Sequence, residues 1–383
     1  MRRLSYLLLL LLACVCVQTA SGISVARPDD EYVDSIDLDS LTLWDFDIDS
    51  SKVVRKKGSV LVIGSGSKIR GCNPFGLNRQ RLREYAGVVN EYQRTFPDVQ
   101  VYFLGIPTSV EFYLPEESRV QAASQRVAID VLFDALDPQV VRADSYDALL
   151  AHVDEPIYSR TDHHWQPLGA FYAAEQLAKA ADVPFRGLDA YKRKVVRRFV
   201  GTMAKFSGDP AFKRAPEDFV YYVPQEATYR TIYVAYTLDK ARKRVVSETE
   251  PYQDSFFRAY ADGSSAAYCT FMGGDTRLTR VETDADNGRR VLILKDSFGN
   301  ALSSFLFYSF EQVHVVDCRY FTQNLVDYVR DNYITDIVFA NNIAHTSGET
   351  VAMYRKYLVQ GQRQPAETES EFTETDILDI FQE

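Results

Sequence analysis

Two segments far apart in the chain hold residues whose types and spacing suit nucleophilic catalysis. The first is Asp162-His163-His164-Trp165, which puts two of the chain's five histidines side by side on an expected loop before a helix. An imidazole that takes a proton needs a partner on its other ring nitrogen, to fix its tautomer and stabilise the cation formed. An aspartate two residues away on irregular backbone can be that partner. The adjoining helix N-terminus disfavours the imidazolium and keeps the base neutral. Read without other motifs, the same residues are a surface histidine pair beside a packing tryptophan. The second segment is Asp296-Ser297-Phe298-Gly299-Asn300, which follows the apolar run at 291–294 and precedes a helical pattern. A serine on a sharp strand-to-helix turn exposes its hydroxyl at the carboxyl edge of a sheet, with nearby amides aimed where an oxyanion forms. Gly299 allows close backbone approach, and Asn300 can cap the helix or donate to that oxyanion. Taken alone, Ser297 reads equally well as a helix cap.

A rival serine, Ser65, follows the first apolar run in Gly64-Ser65-Gly66-Ser67-Lys68. That segment is neither a nucleotide-binding P-loop nor a dinucleotide fingerprint, because Ile69 stands at the third glycine position. Asp162, His163 and His164 lack the i, i+4 spacing of a helical zinc site, so the expectation is no metal and no cofactor.

These segments need a scaffold. The runs at 59–63, 99–104, 291–294, 313–316 and 337–339 read as buried strands, with a weaker one near 140–141. Helical spacing of Leu82, Tyr85, Ala86, Val89 and Tyr92 follows an N-cap at Asn78. Further helices are expected over 116–135, 146–153, from Pro167 onward and over 301–310. A strand at 59–63, a helix and a strand at 99–104 predict a right-handed parallel unit, and the class is α/β with a mostly parallel sheet. Residues 59–185 and 286–365 form the main domain. Residues 186–285 break its rhythm as a Tyr-rich insertion, with 14 basic against 6 acidic residues between 186 and 244. That stretch is either a solvated insertion with its own small sheet or a cap offering Lys192, Arg193 and Lys194 to an acidic polymer.

Composition bounds the rest. The chain has 383 residues, 46% hydrophobic and 25% charged, which fits a globular protein, and its net charge of −10 argues against nucleic-acid binding. Arg2 and Arg3, an apolar run from 6 to 17 and small residues to Gly22 read as a secretory signal over 1–22. The run is too short to span a bilayer. Leu11-Leu12-Ala13-Cys14 also resembles a lipoprotein box, which would anchor the chain through Cys14. The expected location is outside the cytoplasm, periplasmic or secreted. An acidic extension spans 23–58, with no complete calcium loop, and an acidic tail spans 366–383. Beyond the signal, Cys72, Cys269 and Cys318 allow one disulfide and no disulfide framework.

The Asp162-His163-His164-Trp165 block, preceded by Tyr158-Ser159-Arg160-Thr161, resembles the signature of the DHHW protein family. Two further segments resemble that family's pattern: residues 107–113, from Pro107-Thr108 to Tyr113, and residues 295–300, from Lys295 to Asn300. The family is similar to the SGNH-hydrolase-like proteins of alginate O-acetylation. That resemblance implies a flavodoxin-like SGNH sheet with helices on both faces, in which the Asp/His block precedes the serine, a circularly permuted order. It implies Ser297, His164 and Asp162 as the catalytic triad. Oxyanion and substrate candidates are Asn300, Asn341, Asn342, Arg319, Thr108, His163 and Trp165, with Asp317 on the same sheet edge. The implied activity is O-acetylation of an exported polysaccharide through an acetyl-Ser297 intermediate, with acetyl supplied by a membrane-bound O-acyltransferase partner. A carbohydrate acetylesterase acting on an acylated sugar, or a non-catalytic glycan-binding or assembly protein, are the alternatives. Lys295 departs from the glycine of the usual Gly-Asp-Ser block.

Overall fold

The computed structural model describes residues 53–240, 245–317, 319–346 and 348–360, all within one unit, Phe46–Glu383. The expected signal with Cys14, most of the acidic extension, Cys318 and the tail at 366–383 lie outside the described residues.

Strands β1 (Val54–Lys57), β2 (Val60–Ile63) and β3 (Arg70–Cys72) open the described chain. Helix α1 (Arg79–Thr95) leads into β4 (Gln100–Gly105), and α2 (Ser109–Tyr113) and α3 (Gln125–Asp134) lead into β5 (Val141–Asp144). Helices α4 (Tyr146–Ala151) and α5 (Pro167–Ala180) flank the histidine segment. After them come β6 (Tyr191–Phe199), α6 (Met203–Ser207), β7 (Glu217–Pro224), β8 (Tyr229–Val234), β9 (Tyr236–Leu238), β10 (Val245–Glu248), β11 (Tyr252–Gln253) and β12 (Leu278–Thr283). The chain closes with β13 (Arg290–Lys295), α7 (Gly299–Ser303), β14 (Gln312–Asp317), α8 (Leu325–Asp331), β15 (Asp336–Ala340) and α9 (Gly348–Val359).

The central sheet has eight strands in the order β11-β8-β12-β14-β13-β15-β4-β5. From β14 to β5 every pairing is parallel, and from β14 outward through β12 and β8 to β11 every pairing is antiparallel. Helices cover both faces, as strand parity shows. Phe103 and its register partner Phe339 meet the rings of Tyr85, Tyr92 and Tyr354 from α1 and α9. Tyr102, one residue on and therefore on the other face, contacts Arg289, whose guanidinium reaches the Ala181 carbonyl beyond α5. A doubly covered parallel strand is apolar on both sides, which is why β13 and β15 read as continuous runs.

Three expectations change. The run at 59–63 is a strand, but β2 pairs antiparallel with β1 and β3 in a separate sheet. Val60 and Val62 pack into a small cluster with Ile69, Met203 and Phe212, while Leu61 and Ile63 pack into the main core. Burial on both sides makes it look like a parallel strand, so the parallel unit expected from 59 to 104 does not form. The helix expected over 116–135 splits, because the buried Glu111 carboxylate accepts from the Gln125 and Arg126 amides and starts a new helix at the Ser124 cap. Within 186–285, β6 and β7 form a separate antiparallel ribbon, whereas β8, β11 and β12 continue the central sheet. The alternating burial of β8 fits a strand with one solvated face and hides its membership of the core sheet.

Candidate active site

The histidine segment is an irregular loop whose backbone is tied down on both sides of Asp162-His163. Tyr158 and Trp165 form an isolated bridge, the Ser159 amide donates to the His164 carbonyl, and the Gln166 amide donates to the Ile157 carbonyl. The buried Glu217 carboxylate of β7 accepts from the Arg160 and Thr161 amides and from the Thr161 hydroxyl. Pro167 then opens α5. Trp165 is fully buried, and its indole N–H donates to the Phe298 carbonyl at 3.2 Å, which fastens this loop to the serine turn.

Ser297 sits on the turn between β13 and α7. The buried Asp296 carboxylate shapes that turn, accepting from the Phe298 amide (2.9 Å), the Asn342 amide and side chain (both 2.8 Å) and His345 Nδ1 (2.8 Å). A Cβ at Gly299 would run into the Lys295 side chain, so the close approach expected there is required. Across the gap, Ser297 Oγ lies 2.7 Å from His164 Nε2, and His164 Nδ1 lies 2.7 Å from Asp162 Oδ2. Protons order themselves along this chain: Nδ1–H donates to the carboxylate, so Nε2 accepts from the hydroxyl. Asp162 Oδ1 accepts from the Thr202 amide (2.8 Å) and hydroxyl (2.6 Å), and that hydroxyl in turn accepts from His163 Nδ1 at 2.7 Å.

The imidazole of His164 is clamped between two rings. Tyr268 stacks on it at 3.7 Å and 6°, and His163 covers its other face at 3.7 Å and 38°. The Tyr268 hydroxyl also donates to the Ser297 carbonyl at 2.9 Å. Burial disfavours the His164 cation and lowers its pKa, with the His163 ring adding to this and Asp162 opposing it. Burial alone would raise the Asp162 carboxyl, but the electrostatic pull of the adjacent His164 and His163 imidazoles and the hydrogen bond from His164 hold it well below the usual range. Beneath the turn, the fully buried Lys295 ammonium contacts Asp317 (2.8 Å) and Asp275 (3.2 Å), and Arg319 pairs with the same two carboxylates.

Ser297, His164 and Asp162 therefore come together, with His163 and Trp165 against them. The other candidates have different partners. Asn300 Nδ2 donates to Asp275. The Asn341 carbonyl oxygen accepts from the Tyr85 and Tyr354 hydroxyls between α1 and α9. Asn342 is spent on Asp296 and on capping Ala344. Arg319 is held in the carboxylate network, and Thr108 exchanges hydrogen bonds with Gln125. The Asn341 Nδ2 donor is buried and has no hydrogen-bond partner among the described residues. Of the turn's amides, Phe298 donates to Asp296 Oδ1, Gly299 to the Asp296 carbonyl and Asn300 to the Ser297 carbonyl. The Ser297 amide has no hydrogen-bond partner among the described residues. Ser65 is exposed in the connection between β2 and β3, and its side chain makes no cap hydrogen bond.

Asp162, His163 and His164 offer ligand atoms within 4.8 Å of one another. Both His164 nitrogens and both Asp162 oxygens are already committed to hydrogen bonds. Sequence reasoning missed Gly201, Thr202, Glu217, Tyr268 and Asp275. Each lies in the stretch 186–285 and reaches the site only through the fold. The sole local hint is the Gly-Thr pair ending the basic run: a Cβ at Gly201 would overlap the Asp162 side chain.

The family model described as DHHW protein matches residues 23–316. A DHHW family protein from Eubacterium siraeum DSM 15702 is 34% identical, with a TM-score of 0.71, and the match covers 80% of this chain and 98% of that one. Bacillus cereus PatB1 with a sulfonyl adduct is 17% identical, with a TM-score of 0.59, over 77% of this chain and 98% of that one. PatB1 without the adduct gives 19% identity and the same TM-score over 78% and 99%. No curated protein matches the chain.

Proposed function

The chain belongs to the DHHW protein family and has an SGNH-hydrolase-like α/β fold; from that premise we propose that it is a serine acyl-transfer enzyme that O-acetylates an exported polysaccharide. The observation that carries the reading is the unbroken hydrogen-bonded chain from Ser297 through His164 to Asp162. In the first half-reaction Ser297 Oγ bonds to the acetyl carbonyl carbon as its proton passes to His164 Nε2. The tetrahedral oxyanion faces the Ser297 amide. Its collapse breaks the bond to the donor oxygen, which leaves with the proton from His164. In the second half-reaction an acceptor hydroxyl gives its proton to His164 and attacks acetyl-Ser297, and the imidazolium returns the proton to the departing serine oxygen. Asp162 keeps the tautomer throughout. The basic start, apolar run and small residues of 1–22 support work outside the cytoplasm, with a membrane-bound O-acyltransferase as the acetyl source. Among the described residues no helix is long and apolar enough to cross a membrane.

A sulfonyl fluoride tests the nucleophile directly, since PatB1 carries a sulfonyl adduct. Phenylmethanesulfonyl fluoride should add to the peptide containing Ser297 and abolish release of nitrophenol from p-nitrophenyl acetate. Labelling of the Ser65 peptide instead would overturn the assignment. Whether acetyl passes to a sugar or to water is read from the product after trapping acetyl-Ser297, water alone making it an esterase.

A further inference from the structure

Strand β6 carries Lys192, Arg193, Lys194, Arg197 and Arg198, all exposed. None of the five makes an ion pair among the described residues, although Arg126, Arg230, Arg289, Arg319 and Arg355 elsewhere each have a carboxylate partner. Like charges placed so closely repel one another. A chain of net charge −10 that leaves them unmatched has a surface made for an outside anion.

The shape of the row narrows the ligand. β6 pairs with no strand but β7, and along its other edge the 262–263 turn meets it at Arg197, whose amide donates to Asp262 and whose carbonyl accepts from the Gly263 amide. Its register breaks between Val196 and Phe199, where Arg198 takes φ +57°, and such a bulge re-aims side chains. From 192 to 198 the strand extends about 20 Å. The row then meets the site: past Phe199, Gly201 packs on Asp162 and Thr202 donates to it. Exposed Lys205 and Phe206 follow, with the Phe206 ring 5.6 Å from that of His163.

By strand alternation Lys192 and Lys194 lie on one face of the ribbon and Arg193 on the other, and cations spread in this way fit repeated negative groups on a polymer better than one small anion, which would need converging donors. Charge is screened over about 8 Å at physiological salt, so the row attracts only what lies along it. A slender chain can do so. A bilayer or a nucleic-acid duplex presents a broad anionic face that would also meet the acidic remainder of the protein. We propose that β6 docks an anionic polysaccharide and leads its hydroxyls past His163 and Phe206 to Ser297. The delivery step rests on the acyl-transfer reading above; the docking step does not.

The probe is polygalacturonate, with dextran as the neutral control, used in affinity electrophoresis of the full chain. Wild type should be retarded by polygalacturonate and not by dextran. The variant Lys192→Ser/Arg193→Ser/Lys194→Ser/Arg197→Ser should bind at least about 10-fold more weakly, with an unchanged thermal midpoint to show that it folds. Lys192→Arg/Lys194→Arg should retain binding. Equal retardation of wild type and the serine variant at low salt overturns the proposal. So does wild type that ignores polygalacturonate, or that prefers phosphatidylglycerol vesicles or duplex DNA. Ser297→Ala separates the two readings. It should bind polygalacturonate like wild type, and full ester turnover by that variant would sink the acyl-transfer reading while leaving the docking result standing.

Discussion

His164 is set between opposing influences, and their balance predicts its pH behaviour. Burial and the neighbouring His163 lower its pKa from 6.5, so the ring remains neutral and able to accept a proton somewhat below that pH. Turnover of p-nitrophenyl acetate should therefore hold as pH falls to 6.5 and decline only at lower pH. His163→Gln removes one lowering influence and should move the acid limb upward; a wild-type limb at or above 6.5 would contradict this account. Ser297→Ala and His164→Ala should each lose about 10³-fold or more in kcat/KM, and Asp162→Asn about 10⁴-fold through loss of the correct tautomer. The Asp/His pair and the serine were legible because each sits in a short motif with its own local logic. Tyr268 was not, since nothing about a tyrosine among 24 marks the one that stacks on an imidazole.

At the scale of elements, two turns and one loop must meet to within tenths of an ångström. Gly201 and Gly299 are where that fit is tightest, against Asp162 and Lys295. Gly201→Ala should displace the carboxylate and cut kcat by about 10²-fold in steady-state kinetics while the protein still folds. Lys295→Ala should cost about 1–3 kcal/mol in urea unfolding, less than breaking an isolated buried pair, because Arg319 still holds the buried Asp317 carboxylate when the ammonium is lost. Lys295, which precedes the Asp296-Ser297 pair, is here a buried ammonium paired with Asp317 and Asp275. Helix α1 was readable from periodicity and from the Asn78 cap, whose side chain does accept from the Arg81 amide. Strand β2 misled because hydrophobic pattern reports burial and not which strand lies alongside.

For the whole molecule, the central sheet ties stability to pH through His314 on β14. Its ring is fully buried, hydrogen-bonded to the Tyr328 hydroxyl at 2.6 Å, and burial with Arg280 and Arg290 nearby lowers its pKa to about 3. In the unfolded chain it titrates near 6.5, so the unfolded state gains a proton first as pH falls. Stability should drop by about 1.4 kcal/mol per pH unit below 6.5 from this residue, until about pH 3. Urea unfolding of wild type and His314→Gln at pH 7 and pH 5 measures it; equal pH slopes would refute the claim. The same sheet brings the stretch 186–285 into the core through β8 and β12, although its charge content read as a solvated insertion.

The sequence by itself determined the α/β class, the main parallel strands, the order of the Asp/His and serine blocks, and the basic run at 192–198. Each of these is written in residue types, local periodicity or short spacing. Only the tertiary structure decided that His164 and Ser297, 133 positions apart, share a proton. It alone paired the Asn341 oxygen with Tyr85 and Tyr354 and Asn342 with Asp296, placed Thr202 behind Asp162, and moved β2 out of the central sheet. The physical reason is common to all four. A side chain's local pattern fixes how much of it must be buried or hydrogen-bonded, whereas its partner is chosen when distant segments pack, and that choice has no local signature.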